Sequence, residues 1–264
     1  MHAGTHARLD RIGTDGRYLV VPMDHGLTLG AVAGLADIET TIDAVTRGGA
    51  DSILTQKGIA PRVHPNSNGA GYIVHLNGST ADGPDTNDKR RTGTVESAIR
   101  AGADAVSLHL NVGSETEPNQ IEDLADVTER AAEFGVPVLA MTYARGPGVD
   151  EADPERLAHA ARLGEELGAD LIKTGYSGDA ESFERVTGAT RLPVLIAGGD
   201  PAGDRASLEA VRGAMDAGAA GVSMGRTVFQ HDDPEAMARA VSGVVHDDLP
   251  TEEALDRAGL AVEA

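Results

Sequence analysis

At four places a helical stretch ends in glycine and alanine and a short apolar run follows at once: Arg47-Gly-Gly-Ala-Asp-Ser-Ile-Leu, Ala101-Gly-Ala-Asp-Ala-Val-Ser-Leu, Leu167-Gly-Ala-Asp-Leu-Ile-Lys and Ala217-Gly-Ala-Ala-Gly-Val-Ser-Met. Glycine supplies the left-handed residue that stops a helix. An unbroken apolar run of this length suits a strand covered on both faces, as in a parallel sheet beneath helices. A junction repeated in this form restricts the chain to βα units laid side by side.

Eight such strands can be read, at 19–23, 52–55, 72–76, 105–110, 136–142, 171–174, 194–197 and 221–224. Helical patterns lie between most of them, over 37–47, 95–101, 121–134, 154–167, 180–187, 205–217 and 234–245. Several open on Asp, Ser or Thr and carry acids in the first turn, where caps and the helix dipole favour them. Residues 57–71, rich in Gly, Asn and Pro, predict a loop with no clear helix, and 77–94 predict a second polar loop. This alternation predicts an α/β chain folded as one (β/α)8 TIM barrel over 1–264, with 1–17 as an N-terminal extension that plugs its bottom. An open doubly wound sheet is the competing arrangement, but no G-x-G-x-x-G follows the first strand.

Composition narrows the classes of function. Lys+Arg 22 against Asp+Glu 42 gives a net charge of −20, cysteine is absent, and the only lysines are Lys57, Lys89 and Lys173. A surface this acidic is unsuited to nucleic acid, whose phosphates need clustered Lys and Arg. Without cysteine there is no disulfide framework, thiolate metal site or cysteine nucleophile. No apolar run approaches the roughly 18 residues of a membrane span, and the opening MHAGTHARLDRIG lacks an apolar signal core, so no membrane partner and a cytoplasmic setting are expected. The acids are spread rather than blocked and lysine is scarce, which reads as a halophilic surface hydrated by carboxylates and screened by salt.

In a (β/α)8 barrel the reacting groups project from the C-terminal ends of the strands. Here those ends read Asp24-His-Gly, Gln56-Lys-Gly, His75-Leu-Asn, His109-Leu-Asn, Thr142-Tyr-Ala-Arg, Lys173-Thr, Gly198-Gly-Asp and Gly225-Arg, so titratable side chains collect on one rim. Lys173 falls inside the sixth strand. A lysine desolvated in such a place resists protonation, and a neutral amine attacks a ketone to form an iminium, an electron sink for making or breaking carbon–carbon bonds. The plainer reading is a lysine paired with a carboxylate. Lys57 is the rival imine former, while Lys89, in Asp88-Lys-Arg-Arg, reads as solvated loop.

Imine chemistry needs proton transfers, for which Asp24 is the candidate base and Tyr143 the candidate acid; a loop cap and a hydrogen-bonded wall residue are their plainer readings. Gly198-Gly199 and Gly225-Arg226 suit a phosphate, since glycine lets backbone N–H groups approach an anion and arginine adds a charged fork. The same pairs could be simple tight turns. His25, His75 and His109 keep a histidine-liganded zinc site open, although no HxxxH pair or spaced carboxylate accompanies them.

The stretches Val21-Pro-Met-Asp-His-Gly, Gly102-Ala-Asp-Ala-Val-Ser-Leu-His-Leu-Asn-Val-Gly, His159-Ala-Ala-Arg-Leu-Gly, Lys173-Thr-Gly-Tyr-Ser-Gly-Asp, Ala197-Gly-Gly and Met224-Gly-Arg-Thr-Val-Phe-Gln-His-Asp-Asp-Pro together resemble the archaeal class I aldolase family, of the DeoC type, over nearly the whole chain. The resemblance implies a barrel enzyme working without metal or cofactor, with Lys173 as Schiff-base lysine, Asp24 as proton acceptor and Tyr143 as proton donor. It implies substrate contacts from Asp24, His25, Gly26, Leu27, Thr28, Tyr143, Ala144, Arg145, Lys173, Gly198, Gly199, Gly225 and Arg226, and a homo-oligomer, often a decamer. Gly175 departs from the family pattern, where a serine is expected.

Tyr143-Ala-Arg-Gly and His109-Leu-Asn-Val-Gly look more like the family's transaldolase-type synthases. That implies two small-molecule partners, the sugar phosphate 1-deoxy-D-threo-hexo-2,5-diulose 6-phosphate and L-aspartate 4-semialdehyde, in an archaeal route to 3-dehydroquinate and the aromatic amino acids. The near alternative is a fructose-1,6-bisphosphate aldolase, and the alternative of another class is a barrel that binds sugar phosphates without turning them over.

The acidic surface carries a direct test. Moving the protein from molar salt to roughly 0.1 M lengthens the screening distance from about 3 to about 10 Å, so carboxylate repulsion lowers the melting temperature; circular dichroism melts at fixed pH read the drop.

Overall fold

The computed structural model describes residues 2–199 and 202–260. Its eight parallel strands are β1 (Tyr18–Pro22), β2 (Ser52–Gln56), β3 (Gly71–His75), β4 (Ala105–Val112), β5 (Val138–Ala144), β6 (Leu171–Thr174), β7 (Val194–Ala197) and β8 (Gly221–Ser223). They pair in chain order, and β1 meets β8 through Tyr18↔Gly221, Leu19↔Val222 and Val20↔Ser223, which closes the barrel. At that seam a Cβ on Gly221 would lie 2.1 Å from the Tyr18 carbonyl oxygen, so only glycine lets the two strands meet.

The twelve helices are α1 (Ala3–Ile12), α2 (His25–Leu29), α3 (Ile38–Arg47), α4 (Ala60–Val63), α5 (Val95–Arg100), α6 (Glu117–Phe134), α7 (Pro154–Glu166), α8 (Ala180–Thr187), α9 (Asp204–Asp216), α10 (Arg226–Phe229), α11 (Pro234–His246) and α12 (Thr251–Ala258), a count made over the described residues. Local chemistry starts several of them. Asp37, Asp153, Asp179 and Asp233 accept backbone N–H groups at the N-termini of α3, α7, α8 and α11, and Thr94 and Ser97 form a reciprocal capping box on α5.

The aspartate of the repeated Gly-Ala-Asp phrase has a definite task at the N-terminal end of the barrel. Asp51 donates its backbone N–H to Leu19 O (2.9 Å) and accepts Leu19 N–H on its carboxylate (2.6 Å). Asp104 makes the same exchange with Tyr72 (2.8 and 3.0 Å), and Asp170 with Val138 (3.0 and 2.9 Å). Each clamps the start of the neighbouring strand, setting register before the ladder begins. In the fourth copy Ala220 stands in the place of the aspartate, and only its backbone N–H pairs, with Val194 O at 2.8 Å.

Strand parity divides the core into two shells. Leu19, Val21, Ile53, Val106, Ile172 and Val222 face outward and pack under the helices. Tyr18, Val20, Leu54, Ile73, Leu139, Leu171 and Leu195 face the axis and fill the lower barrel. Helix α1 closes that end: Leu9 and Ile12 join the inner cluster, Arg11 Nε pairs with Asp104 at 2.6 Å, and Arg8 Nη1 donates to Gly135 O at 3.1 Å. With the lower half sealed by apolar side chains, the polar inward residues are left to the C-terminal rim.

The structure agrees with the strand order and shifts most strand ends by one or two residues. It corrects the expectation of 57–71 as loop alone: Lys57–Ile59 form a 3-10 turn that continues into α4, started by Pro61 in its first turn and too short to show periodicity. Residues 77–94 are pinned by a small antiparallel ladder of Asn77–Gly78 with Arg90–Arg91. Among the described residues no helix is long and apolar enough to cross a membrane.

The plug carries weight. Ile12→Ala removes a fully buried side chain from the inner cluster and should cost about 2–5 kcal/mol, measured as a lower denaturation midpoint at constant salt.

Candidate active site

A cavity of about 310 Å³ opens at the C-terminal ends of the strands, lined by residues of β4, β5, β6, β7 and β8 and of the segments that follow β1, β3, β5, β7 and β8. Lys173 enters it from β6, in register between Met141 on β5 and Leu195 on β7, and is only 7% exposed. Parity explains this placement, because Leu171, two residues earlier on β6, faces the same axis.

Asp24 follows β1 and sits between two imidazoles. His25 Nδ1 lies 3.7 Å from Oδ1, and His75 Nε2 lies 3.7 Å from Oδ2. Burial alone would raise this carboxyl, but the neighbouring His75, His25 and Lys173 outweigh it and hold Asp24 below the usual carboxylate range. Asp24 is therefore ionised at neutral pH. His75 is nearly enclosed, and its other nitrogen, Nδ1, is 2.8 Å from Ser107 Oγ, which orients the ring beneath Asp24. Burial pushes His75, His25 and, most strongly, His109 below the ordinary imidazole range.

Tyr143 comes inward from β5. Its ring meets that of His109 at 4.8 Å between centroids and carries the Arg145 guanidinium 4.5 Å above its centre. Arg145 Nε is held by Glu151 at 3.0 Å, and His109 Nε2 is bonded to Asn111 Oδ1 at 2.7 Å. On the opposite side of the rim, Gly198 and Gly199 after β7 face Gly225 and Arg226 after β8, with Arg226 Nη2 donating to Gly199 O at 3.2 Å. A Cβ on Gly225 would fall 2.6 Å from both Pro22 O and the His25 ring, so close packing of β8 on β1 requires glycine there. Asp200, which follows the first glycine pair, lies outside the described residues.

Of the residues singled out from the sequence, Asp24, His25, Thr28, Tyr143, Arg145, Lys173, Gly198, Gly199, Gly225 and Arg226 line this cavity. Gly26 and Leu27 line a neighbouring cavity of about 350 Å³ beside Gln56 and Ile59, and Ala144 is buried in the strand wall. Lys57 is exposed and donates to Thr92 O, away from the cavity. His25 and His75 flank Asp24 while His109 turns to Asn111, and among the described residues no three metal-ligating side chains converge.

Lys89 is the correction. Read from the sequence as solvated loop, it is half-buried and lines the cavity, because the Asn77–Gly78/Arg90–Arg91 ladder turns it inward while Arg90 pairs outward with Asp88 at 2.8 Å. Ser223, inward from β8, also lines the cavity and escaped notice; strand parity would have found it.

The chain matches the DeoC/LacD family aldolase over residues 18–231. The chain belongs to that family. It is 68% identical over 262 residues to the 2-amino-3,7-dideoxy-D-threo-hept-6-ulosonate synthase of Halobacterium salinarum, covering 99% of both chains. It is 40% identical over 257 residues to synthase 1 of the same name from Archaeoglobus fulgidus, covering 97% of this chain and 96% of the other. Among solved structures it resembles an archaeal fructose-1,6-bisphosphate aldolase whose catalytic lysine is covalently bound to the carbinolamine intermediate of its substrate, with a TM-score of 0.83, 31% identity, and coverage of 91% of this chain and 99% of that one. The barrel is that of the class I, Schiff-base-forming aldolases.

The buried histidines set the acid limb of stability. Their folded pKa values lie below the unfolded value of about 6.5, so as pH falls below it the unfolded chain takes up protons that the folded chain refuses. Stability is full above that pH and is lost as pH drops toward the folded values. Melting temperatures at constant salt should therefore decline from pH 7.5 to 5.5, and less steeply in His109→Gln.

Proposed function

We propose that this chain is a transaldolase-type synthase that moves a three-carbon unit from 1-deoxy-D-threo-hexo-2,5-diulose 6-phosphate to L-aspartate 4-semialdehyde and releases hydroxypyruvaldehyde phosphate. The observation that carries the reading is Lys173, buried inside the barrel in one cavity with Asp24, Tyr143 and the glycine–Arg226 cluster. The 68% identity to the Halobacterium salinarum synthase, against 31% to the archaeal bisphosphate aldolase, supports this acceptor over a triose phosphate.

The steps follow from the chemistry of the groups. Lys173 Nζ attacks the ketone beside the methyl group of the donor, and the carbinolamine loses water to leave an iminium. Cleavage of the C3–C4 bond sends its electron pair into the iminium, giving an enamine, while the C4 hydroxyl proton passes to a base and hydroxypyruvaldehyde phosphate departs. The enamine carbon then attacks the aldehyde of aspartate semialdehyde, the new alkoxide takes up a proton, and water hydrolyses the iminium to free the amine and the product. Asp24, ionised and braced by His75, is the proton acceptor. Tyr143, positioned by Arg145 and His109, is the donor. Gly198, Gly199, Gly225 and Arg226 hold the phosphate of the donor. A homo-oligomer and a cytoplasmic setting belong to the same reading, the first read by light scattering.

Borohydride reduction in the presence of the diulose phosphate should trap an adduct on Lys173, and Lys173→Met should lose the adduct and on the order of a thousandfold or more in turnover. A label on Lys57 would sink the mechanism. Efficient cleavage of fructose 1,6-bisphosphate without turnover of aspartate semialdehyde would assign the chain to the aldolases instead.

A further inference from the structure

The mechanism above leaves Lys89 unused. In a chain with 42 acidic residues against 22 basic ones, most arginines among the described residues have a carboxylate partner. Lys89 does not: among the described residues its Nζ hydrogen-bonds Ser79 Oγ at 2.8 Å, and no carboxylate lies within ion-pair distance. Its placement is built. Ser79 Oγ donates in turn to Thr86 O at 2.7 Å, and Asn87 O, two residues before the lysine, accepts from the buried side chains of Asn111 (3.1 Å) and Gln120 (2.7 Å). Arg90 and Arg91, next along the chain, turn outward, toward Asp88 and toward Asp123 and Asp126.

Lys89 shares its side of the cavity with His109, Tyr143 and Arg145, the β4–β5 side, while Arg226 and the glycines stand on the β7–β8 side. The cavity therefore has two cationic ends. Burial, and then the nearby charge of Arg145, push the Lys89 ammonium below the ordinary lysine range, against the opposing pull of Asp24 and Asp85. Two substrates use this cavity in the reaction proposed above, and each carries one anionic group. The donor's phosphate has the glycine–Arg226 end. That reading assigns no residue to the acceptor's α-carboxylate.

We propose that Lys89, with Arg145, forms the carboxylate-binding end of the cavity and selects an amino-acid aldehyde as acceptor. The inference rests on the synthase reading. Lys89 would touch only the second substrate, so it shapes acceptor affinity and not imine formation. A charge-assisted hydrogen bond held at a half-buried position discriminates strongly, because an aldehyde lacking the carboxylate leaves the ammonium unpaired.

Steady-state kinetics with both substrates test it. Lys89→Met should raise KM for aspartate semialdehyde by about tenfold or more and leave KM for the diulose phosphate within about twofold. The preference for aspartate semialdehyde over 3-aminopropanal, the same aldehyde without its carboxylate, should shrink by the same factor, and Lys89→Arg should recover part of it. The borohydride adduct on Lys173, formed with the donor alone, should persist in Lys89→Met and reports that the barrel is intact; Lys89→Gln provides a second variant.

A rise in KM for the diulose phosphate alone would assign Lys89 to the donor's phosphate and overturn the proposal. No change in either KM with the adduct intact would reduce Lys89 to a brace for the 79–89 loop. Loss of the adduct in both neutral variants, with the parent forming it, would place Lys89 in donor chemistry and equally overturn it. No adduct in the parent would defeat the synthase reading itself, and the acceptor site with it.

Discussion

Everything in this protein hangs on the closed parallel ladder. Once β1 meets β8 across Gly221, each strand loses its freedom to slip, since a shift of one residue would turn every inward side chain outward. Closure converts a linear alternation into two concentric shells, one packed beneath helices and one around the axis. The lower part of the axis is filled by leucine, isoleucine and valine and capped by Leu9 and Ile12 of α1, so polar inward positions can be accommodated only at the C-terminal rim. Lys173, His75, Ser107 and Tyr143 occupy those positions. The chemistry of the site thus depends on a register set at the opposite end, by Asp51, Asp104 and Asp170 clamping the first residues of neighbouring strands.

The site is organised by charge as much as by shape. A chain with a net charge of −20 gathers two of its three lysines and two of its arginines around one cavity. One carboxylate, Asp24, stays ionised among them because His75, His25 and Lys173 outweigh its burial. Burial dominates over the attraction of Asp24 for the imidazoles themselves and holds both below their ordinary range. The cavity so gathers a carboxylate, a buried lysine and further cationic side chains in a chain whose net charge is strongly negative.

Local patterns made much of this legible. The Gly-Ala junctions located the strands because helix termination and two-sided burial both leave composition signals that need no distant partner. Lys173 stood out because it is one of only three lysines and directly follows the apolar run of the sixth strand, while its inward direction is a matter of parity with Leu171. The short turn at Lys57–Ile59 and α4 left no such signal, being shorter than one period of a helix. Lys89 was misread for a different reason. Asp88-Lys-Arg-Arg is a charge run by composition, and only the pairing of Asn77–Gly78 with Arg90–Arg91 decides that the lysine turns in while its neighbours turn out.

The amino-acid sequence alone thus indicated the βα alternation, the eight strands, a lysine inside the sixth and the glycines at the seventh and eighth strand ends, because each is a matter of short-range spacing and residue size. Folding in three dimensions supplied what spacing cannot: His75 beneath Asp24, the Gly-Ala-Asp carboxylates each pinning the strand one βα unit earlier in the chain, and Lys89 brought to the same cavity as Arg145. These pair residues from different βα units, and the distance between them is defined only once the ladder has closed and its register is set.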